Sequence, residues 1–197
     1  MRVQNLWKAA LAGLFVLSGA AFADVTVSQS NDPAARIESP ATARVAKPAP
    51  VALRYDARYL ADLPRAAGDA QWECLAKALY FEARGETVKG QFAVAEVILN
   101  RVDSGLYPSS ICGVVHQGGR KGCQFSFTCD AHSDRIREKA AYEQAGKIAR
   151  LMIDGAPRAL TEGATHFHTR HVRPGWARKF AHTAQIGAHL FYRQPGA

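Results

Sequence analysis

Ala78-Leu-Tyr-Phe-Glu-Ala-Arg-Gly-Glu86, followed closely by Gly90-Gln-Phe-Ala-Val-Ala-Glu-Val-Ile-Leu-Asn-Arg101, is the stretch around which the chain is organised. Trp72, Leu75, Ala76, Leu79 and Ala83 recur at the i, i+3, i+4, i+7 spacing, which predicts a helix with one apolar face. At about 100° per residue, Glu82 falls on the shoulder of that face, beside Leu75 and Leu79. Gly85 stops the helix, so Glu82 occupies its last turn. Partial burial there removes water from the carboxyl, and the negative end of the helix dipole opposes its ionisation. A carboxyl so raised in pKa is what a general acid at neutral pH requires. The plainer reading is a solvated ion-pair partner, with Arg84 or Lys89 as the cation. Glu86 is the rival acid, but beyond Gly85 it is expected in a loop, well hydrated, with less reason for a raised pKa.

Phe92 to Val102 is apolar nearly all round and predicts a helix through the core. Glu96 interrupts it and is expected to turn to a polar flank or to pair with Arg101 or a histidine, in a structural role. Ile111 to His116 is too brief to separate helix from strand. Gln117 to Gly122 reads as a flexible basic loop with three glycines; it lacks the G-x4-G-K-[ST] pattern of a nucleotide site. In Cys123 to Cys129, Phe125 and Phe127 alternate with Gln124, Ser126 and Thr128, a strand or hairpin-edge pattern with the aromatics facing the core. A helix is expected from Ser133, as N-cap, to about Asp154, ended by Gly155 and Pro157.

His166 and His168 alternate and so share one side of a strand. With His171 or His182 they could ligate zinc, but no H-E-x-x-H signature accompanies them, and hydrogen-bonding or substrate-contacting roles fit better. Trp176 suits a core position or an aromatic platform. Thr183 to Tyr192 closes the chain as a short helix or strand.

The 197-residue chain opens with Arg2 and Lys8, an apolar run from Ala9 to about Val16, and Ala21-Phe-Ala23. This is the pattern of a secretory signal peptide over residues 1–23. Residues 24–54 lack periodic apolar positions and carry Pro33, Pro40, Pro48 and Pro50, which predicts a disordered spacer. Residues 55–197 are then the folded domain, entered through a short helix between Tyr55 and Pro64. Cys74, Cys112, Cys123 and Cys129 make an even count in an exported protein, so two disulfides are expected; Cys123-x5-Cys129 lacks the spacing of a zinc knuckle. All three connectivities stay open. The formal charge of +8 falls to about +6 once Arg2 and Lys8 are removed, a balance that suits an anionic envelope polymer without demanding one.

The ordered motifs ALYFEARGE, GQFAVAEVILNRV, YPSSICGVV, CQFSF and ATHFHT followed by VRPGWA resemble the cell-wall hydrolase family of the spore cortex-lytic enzyme, over about Trp72 to Arg193. The resemblance implies a lysozyme-like domain, which with the periodicity gives a mostly helical α+β fold. A small antiparallel β-region around Cys123–Thr128 and Thr165–His168 would flank a cleft. It implies cleavage of the β-1,4 bond between N-acetylmuramic acid and N-acetylglucosamine in peptidoglycan glycan strands. Glu82 would protonate the leaving oxygen, and Gln124, Ser126, His168 and Trp176 would contact sugar. Members of this type act as lytic transglycosylases, for which one acid that later serves as base suffices. A second carboxylate is not evident; Glu96, Asp103 and Asp130 are the candidates. No cofactor and no nucleic-acid partner is expected, and the place of action is the periplasm or cell envelope. Two rival readings are a zinc amidase or peptidase resting on His166 and His168, and a non-catalytic wall-binding module.

Overall fold

The computed structural model describes residues 52–197 apart from 120, 121 and 131. All of the expected signal peptide and nearly all of the expected spacer lie outside the described residues. The domain begins with α1 (Ala57–Asp62), whose N-cap Asp56 accepts from the Tyr59 amide at 2.8 Å. Then comes α2 (Ala70–Ala83), capped by Asp69, whose side chain accepts from the Gln71 and Trp72 amides. Each cap satisfies amides that the first helical turn leaves without partners. Thr87 caps α3 (Val88–Asp103) in the same way through Gly90, so two helices are separated by only a tight turn that contains Glu86.

The core forms where α2, α3 and α5 (Lys139–Ile153) pack together. Leu75 and Leu79 of α2, Phe92, Val94, Val97 and Ile98 of α3, and Ile148 of α5 are all fully buried. Trp72 bridges α2 to α5, its indole N–H donating to the Gly146 carbonyl at 2.9 Å. A Cβ at Gly146 would lie 2.9 Å from the Trp72 ring, so the approach needs a glycine there. Ile111 to Val115 is the short helix α4, capped by Ser110.

Glu96 is 1% exposed, and it pairs with neither Arg101 nor a histidine. Its carboxylate accepts from the Leu160 and Thr161 amides and from the Thr161 hydroxyl. The charge is thus compensated by backbone dipoles of the segment entering the sheet, a structural role that three or four hydrogen bonds make affordable. Helix α5 starts later than its apolar period suggests. Ser133 is not its N-cap; Glu138 is, without a side-chain bond of its own. The Tyr80 hydroxyl accepts from the Arg137 and Glu138 amides instead, a tertiary partner that local sequence could not reveal. Gly155, at φ 94°, ends the helix as expected.

Two antiparallel ladders complete the fold. Gly118–Gly119 (β1) pairs with Gly122–Cys123 (β2), so part of the expected loop is a minimal hairpin. His166–Thr169 (β3), Ala181–Ile186 (β4) and His189–Arg193 (β5) form a sheet in the order β3-β5-β4. The Cys123–Thr128 stretch does not join that sheet: only its first residue is in a strand, and Ser126–Thr128 is a 3₁₀ turn. Phe125 and Phe127 are nevertheless buried and Gln124 and Ser126 exposed, so the alternation described burial correctly and conformation wrongly. Phe81 stacks on Phe127 at 4.7 Å, which docks the turn on α2.

The cysteines pair as Cys74–Cys112 and Cys123–Cys129, with Cα separations of 5.3 and 6.1 Å. The first staples α2 to α4 across 38 residues of sequence and the second closes a loop of 6. Loop-closure entropy makes the first worth about 4 kcal/mol and the second about 2 kcal/mol. Replacing Cys74 and Cys112 by serine is therefore expected to lower the denaturant midpoint more than replacing Cys123 and Cys129. Equal midpoints for the two double variants would contradict this ranking.

Candidate active site

The last turn of α2, the Gln124–Phe125 stretch, strand β3, the Trp176 turn and the start of β5 enclose a cleft of about 460 Å³. Glu82 lies on one side of it, in the penultimate position of α2. Burial, and secondarily the negative charge of Asp130, raise the Glu82 pKa above the ordinary glutamate value. Among the described residues its carboxyl takes no hydrogen bond and no cation. Arg84, one of the two cations that the plainer reading offers, is instead bound to Glu138 at 3.1 Å and lies over the Tyr80 ring. Chain geometry explains the difference: Arg84 is two residues further round the helix end and points back along it, donating to the Tyr80 carbonyl.

The same cleft is lined by an aromatic and imidazole cluster. Trp176 sits in a 3₁₀ turn (Gly175–Arg178) that Pro174 introduces. Its ring lies 4.8 Å from His166, 5.6 Å from His168 and 5.4 Å from Tyr192. His168 stacks on Tyr192 at 5.2 Å. Its Nδ1 faces the Thr169 carbonyl at 2.8 Å, and a carbonyl only accepts, so Nδ1 carries the proton. Nε2 then accepts from the Tyr192 hydroxyl at 3.2 Å. With both ring nitrogens occupied by protein groups, His168 is not disposed as a metal ligand. Among the described residues no three side chains of the His, Cys, Asp and Glu types are grouped to hold a metal ion.

Arg101 forms the floor and is 1% exposed. Nε donates to the Thr165 carbonyl, and the guanidinium lies over Tyr107 and Phe125. With the Gln124 amide oxygen turned toward it, that oxygen accepts from both terminal nitrogens at 3.2 Å. Burial lowers the Arg101 pKa to about 10, still cationic at neutral pH. Burial, together with the Arg101 charge, brings His166 down to about 4, so its imidazole is neutral there.

The cleft brings together Glu82, Gln124, His168 and Trp176 of the residues singled out from sequence. Ser126 is exposed on its 3₁₀ turn and is not part of the lining. Glu86 departs most from expectation. Its side chain is only 9% exposed, because the turn after α2 tucks it beneath the β4–β5 hairpin, 3.0 Å from His189 Nδ1. Of the other carboxylates, Asp103 is bound to Arg158 and Glu96 to backbone, which leaves Asp130 as the one acting on Glu82. Arg101 and His189 also line the cleft and were not foreseen there. His189 alternates with Phe191 along β5, a pattern that could have marked it as inward-facing. Arg101 carried no comparable signal.

The sequence profile described as Cell Wall Hydrolase matches residues 85–192. The chain is 37% identical over 134 residues to the spore cortex-lytic enzyme of Bacillus subtilis (strain 168), covering 66% of this chain and 40% of that one. Against the enzyme of the same name from Oceanobacillus iheyensis the identity is 43% over 135 residues, covering 66% and 44%. The chain thus spans less than half the length of these relatives. Among solved structures, the catalytic domain of the germination-specific lytic transglycosylase SleB from Bacillus anthracis superposes with a TM-score of 0.52 at 28% identity, covering 66% of this chain and all of that one. The catalytic domain of Bacillus cereus SleB gives 0.50 at 27% identity, with 66% and 95% covered.

Proposed function

The chain belongs to the cell wall hydrolase family, and on that premise we propose that it cleaves the β-1,4 bond between N-acetylmuramic acid and N-acetylglucosamine in peptidoglycan, as a lytic transglycosylase. The observation that carries this reading is the Glu82 carboxyl: raised in pKa, without a cation, and set in a cleft that Trp176 also lines. A protonated glutamate in such a place can deliver a proton to a glycosidic oxygen. Trp176 offers an aromatic face to a sugar ring, and the Gln124 amide nitrogen is free to donate once its oxygen is held by Arg101. Glu82, ionised by the transfer, then recovers a proton from the attacking hydroxyl. The family's substrate places the protein outside the cytoplasm, and the expected signal peptide agrees with export to the periplasm or envelope.

Purified protein added to isolated sacculi is expected to release soluble glycan fragments, at the same rate with and without a metal chelator. Release of free stem peptides abolished by the chelator would support the zinc amidase reading instead. Binding to sacculi with no soluble product would leave only a wall-binding module.

A further inference from the structure

Glu86 and His189 take no part in the chemistry above, yet His189 lines the cleft and Glu86 is held against its ring. Both oxygens of Glu86 accept from the Ala188 amide, at 3.1 and 3.3 Å, across 102 residues of sequence. Gly187 beside it stands at φ 59°, and a Cβ there would fall 1.8 Å from Glu86 Oε2, so the hairpin tip closes directly on the carboxylate. His189 is 6% exposed in its side chain and packs edge-on against Phe167 at 5.0 Å. Nδ1 lies 3.0 Å from Glu86 Oε1, off the ideal hydrogen-bond line, and meets no other partner. Since His189 also lines the cleft, the imidazole has Nε2 left to present there. A hairpin pinned by the Ala188 amide alone would have no need of an imidazole at the next position.

We propose that His189 contacts the glycan through Nε2, accepting a hydrogen bond from a sugar hydroxyl, and that Glu86 is the positioning residue that holds its Nδ1-protonated tautomer. This rests on the peptidoglycan-cleaving reading of the same cleft. A carboxylate can only accept, so Nδ1 must carry the proton and Nε2 of the neutral ring is bare. Two titratable groups act on the ring, Glu86, which raises its pKa, and His168, which lowers it. Burial outweighs the Glu86 charge and holds His189 below the ordinary histidine value, which keeps it a neutral acceptor. His168 has the same tautomer, but its Nε2 is already taken by Tyr192. Contacts of this kind often tighten only when substrate is bound, as the imperfect Nδ1 alignment allows.

Asparagine and glutamine at position 189 separate the two ends of the ring. The His189→Asn amide can still donate toward Glu86 but leaves nothing at Nε2, whereas His189→Gln places an amide oxygen near it. His189→Asn is expected to keep the wild-type unfolding midpoint and lose about tenfold or more in kcat/KM on sacculi, with part of the loss recovered in His189→Gln. Wild-type kcat/KM in a folded His189→Asn would overturn the proposal. Nuclear magnetic resonance of nitrogen-15 histidine in the wild-type protein gives a test that needs no variant to fold. His189 should be neutral with its proton on Nδ1, and Glu86→Gln should shift that proton toward Nε2. A wild-type His189 protonated on Nε2 would overturn the assignment. A wild-type protein that releases no fragments would instead remove the glycosidase reading, while the tautomer result would still stand on its own.

Discussion

Glu82→Gln is expected to lower the release of glycan fragments by about 10²–10⁴-fold with the fold intact. The amide preserves the shape of the side chain but has no proton to give. Because burial and Asp130 raise the Glu82 pKa, the wild-type acid stays protonated to a higher pH than an ordinary glutamate. The alkaline limb of the rate profile should therefore lie above the usual carboxylate range. Asp130→Asn removes one of the two causes and should draw that limb toward acid. The stability sign follows from the same shift. A carboxyl whose folded pKa is raised above its unfolded value costs stability as pH rises through that window, because the folded state holds the proton more tightly. Glu82→Gln should then be at least as stable as wild type at neutral pH, the difference shrinking below the unfolded glutamate value. Glu86→Gln should leave measurable turnover. Turnover surviving in Glu82→Gln and lost in Glu86→Gln would hand the acid's role to Glu86.

Much of this site is written in local pattern. The apolar spacing from Trp72 to Ala83 put Glu82 on a helix shoulder near its end, and the helix places it there. The alternation of His166 and His168 gave one side of a strand, which is the side that meets Trp176. What escaped was tertiary. Glu86 reads as a solvated loop residue until a hairpin from the far end of the chain folds over it. Glu96 reads as turned to a polar flank or paired with Arg101 or a histidine until the backbone at Leu160 and Thr161 arrives. The start of α5 is set by a tyrosine hydroxyl from α2, and the alternating Phe125 and Phe127 are buried from a 3₁₀ turn that a disulfide closes. Period reports which side chains are buried; it does not report what long-range partner satisfies a polar group.

The product of cleavage is where the single-acid reading has its largest consequence. If Glu82 is the acid, as proposed, its proton transfer leaves an oxocarbenium-like centre on the muramic acid ring that must be captured. Capture by water needs a second group to orient and deprotonate it. Asp103 and Glu96 are each committed to partners elsewhere, and neither lines the cleft. Capture by the ring's own 6-hydroxyl needs no such group, because the nucleophile is already tethered and Glu82 can take back the proton. Tethering replaces a costly encounter with an intramolecular step, an advantage equivalent to very high effective concentrations. The measurement is mass spectrometry of the soluble fragments from sacculi digested in heavy-oxygen water. Fragments with 1,6-anhydromuramic ends, lighter by one water than hydrolysed ones and free of label, are the expected result. Fragments with reducing ends that carry the heavy oxygen would contradict the account and turn the search for a base to Asp130.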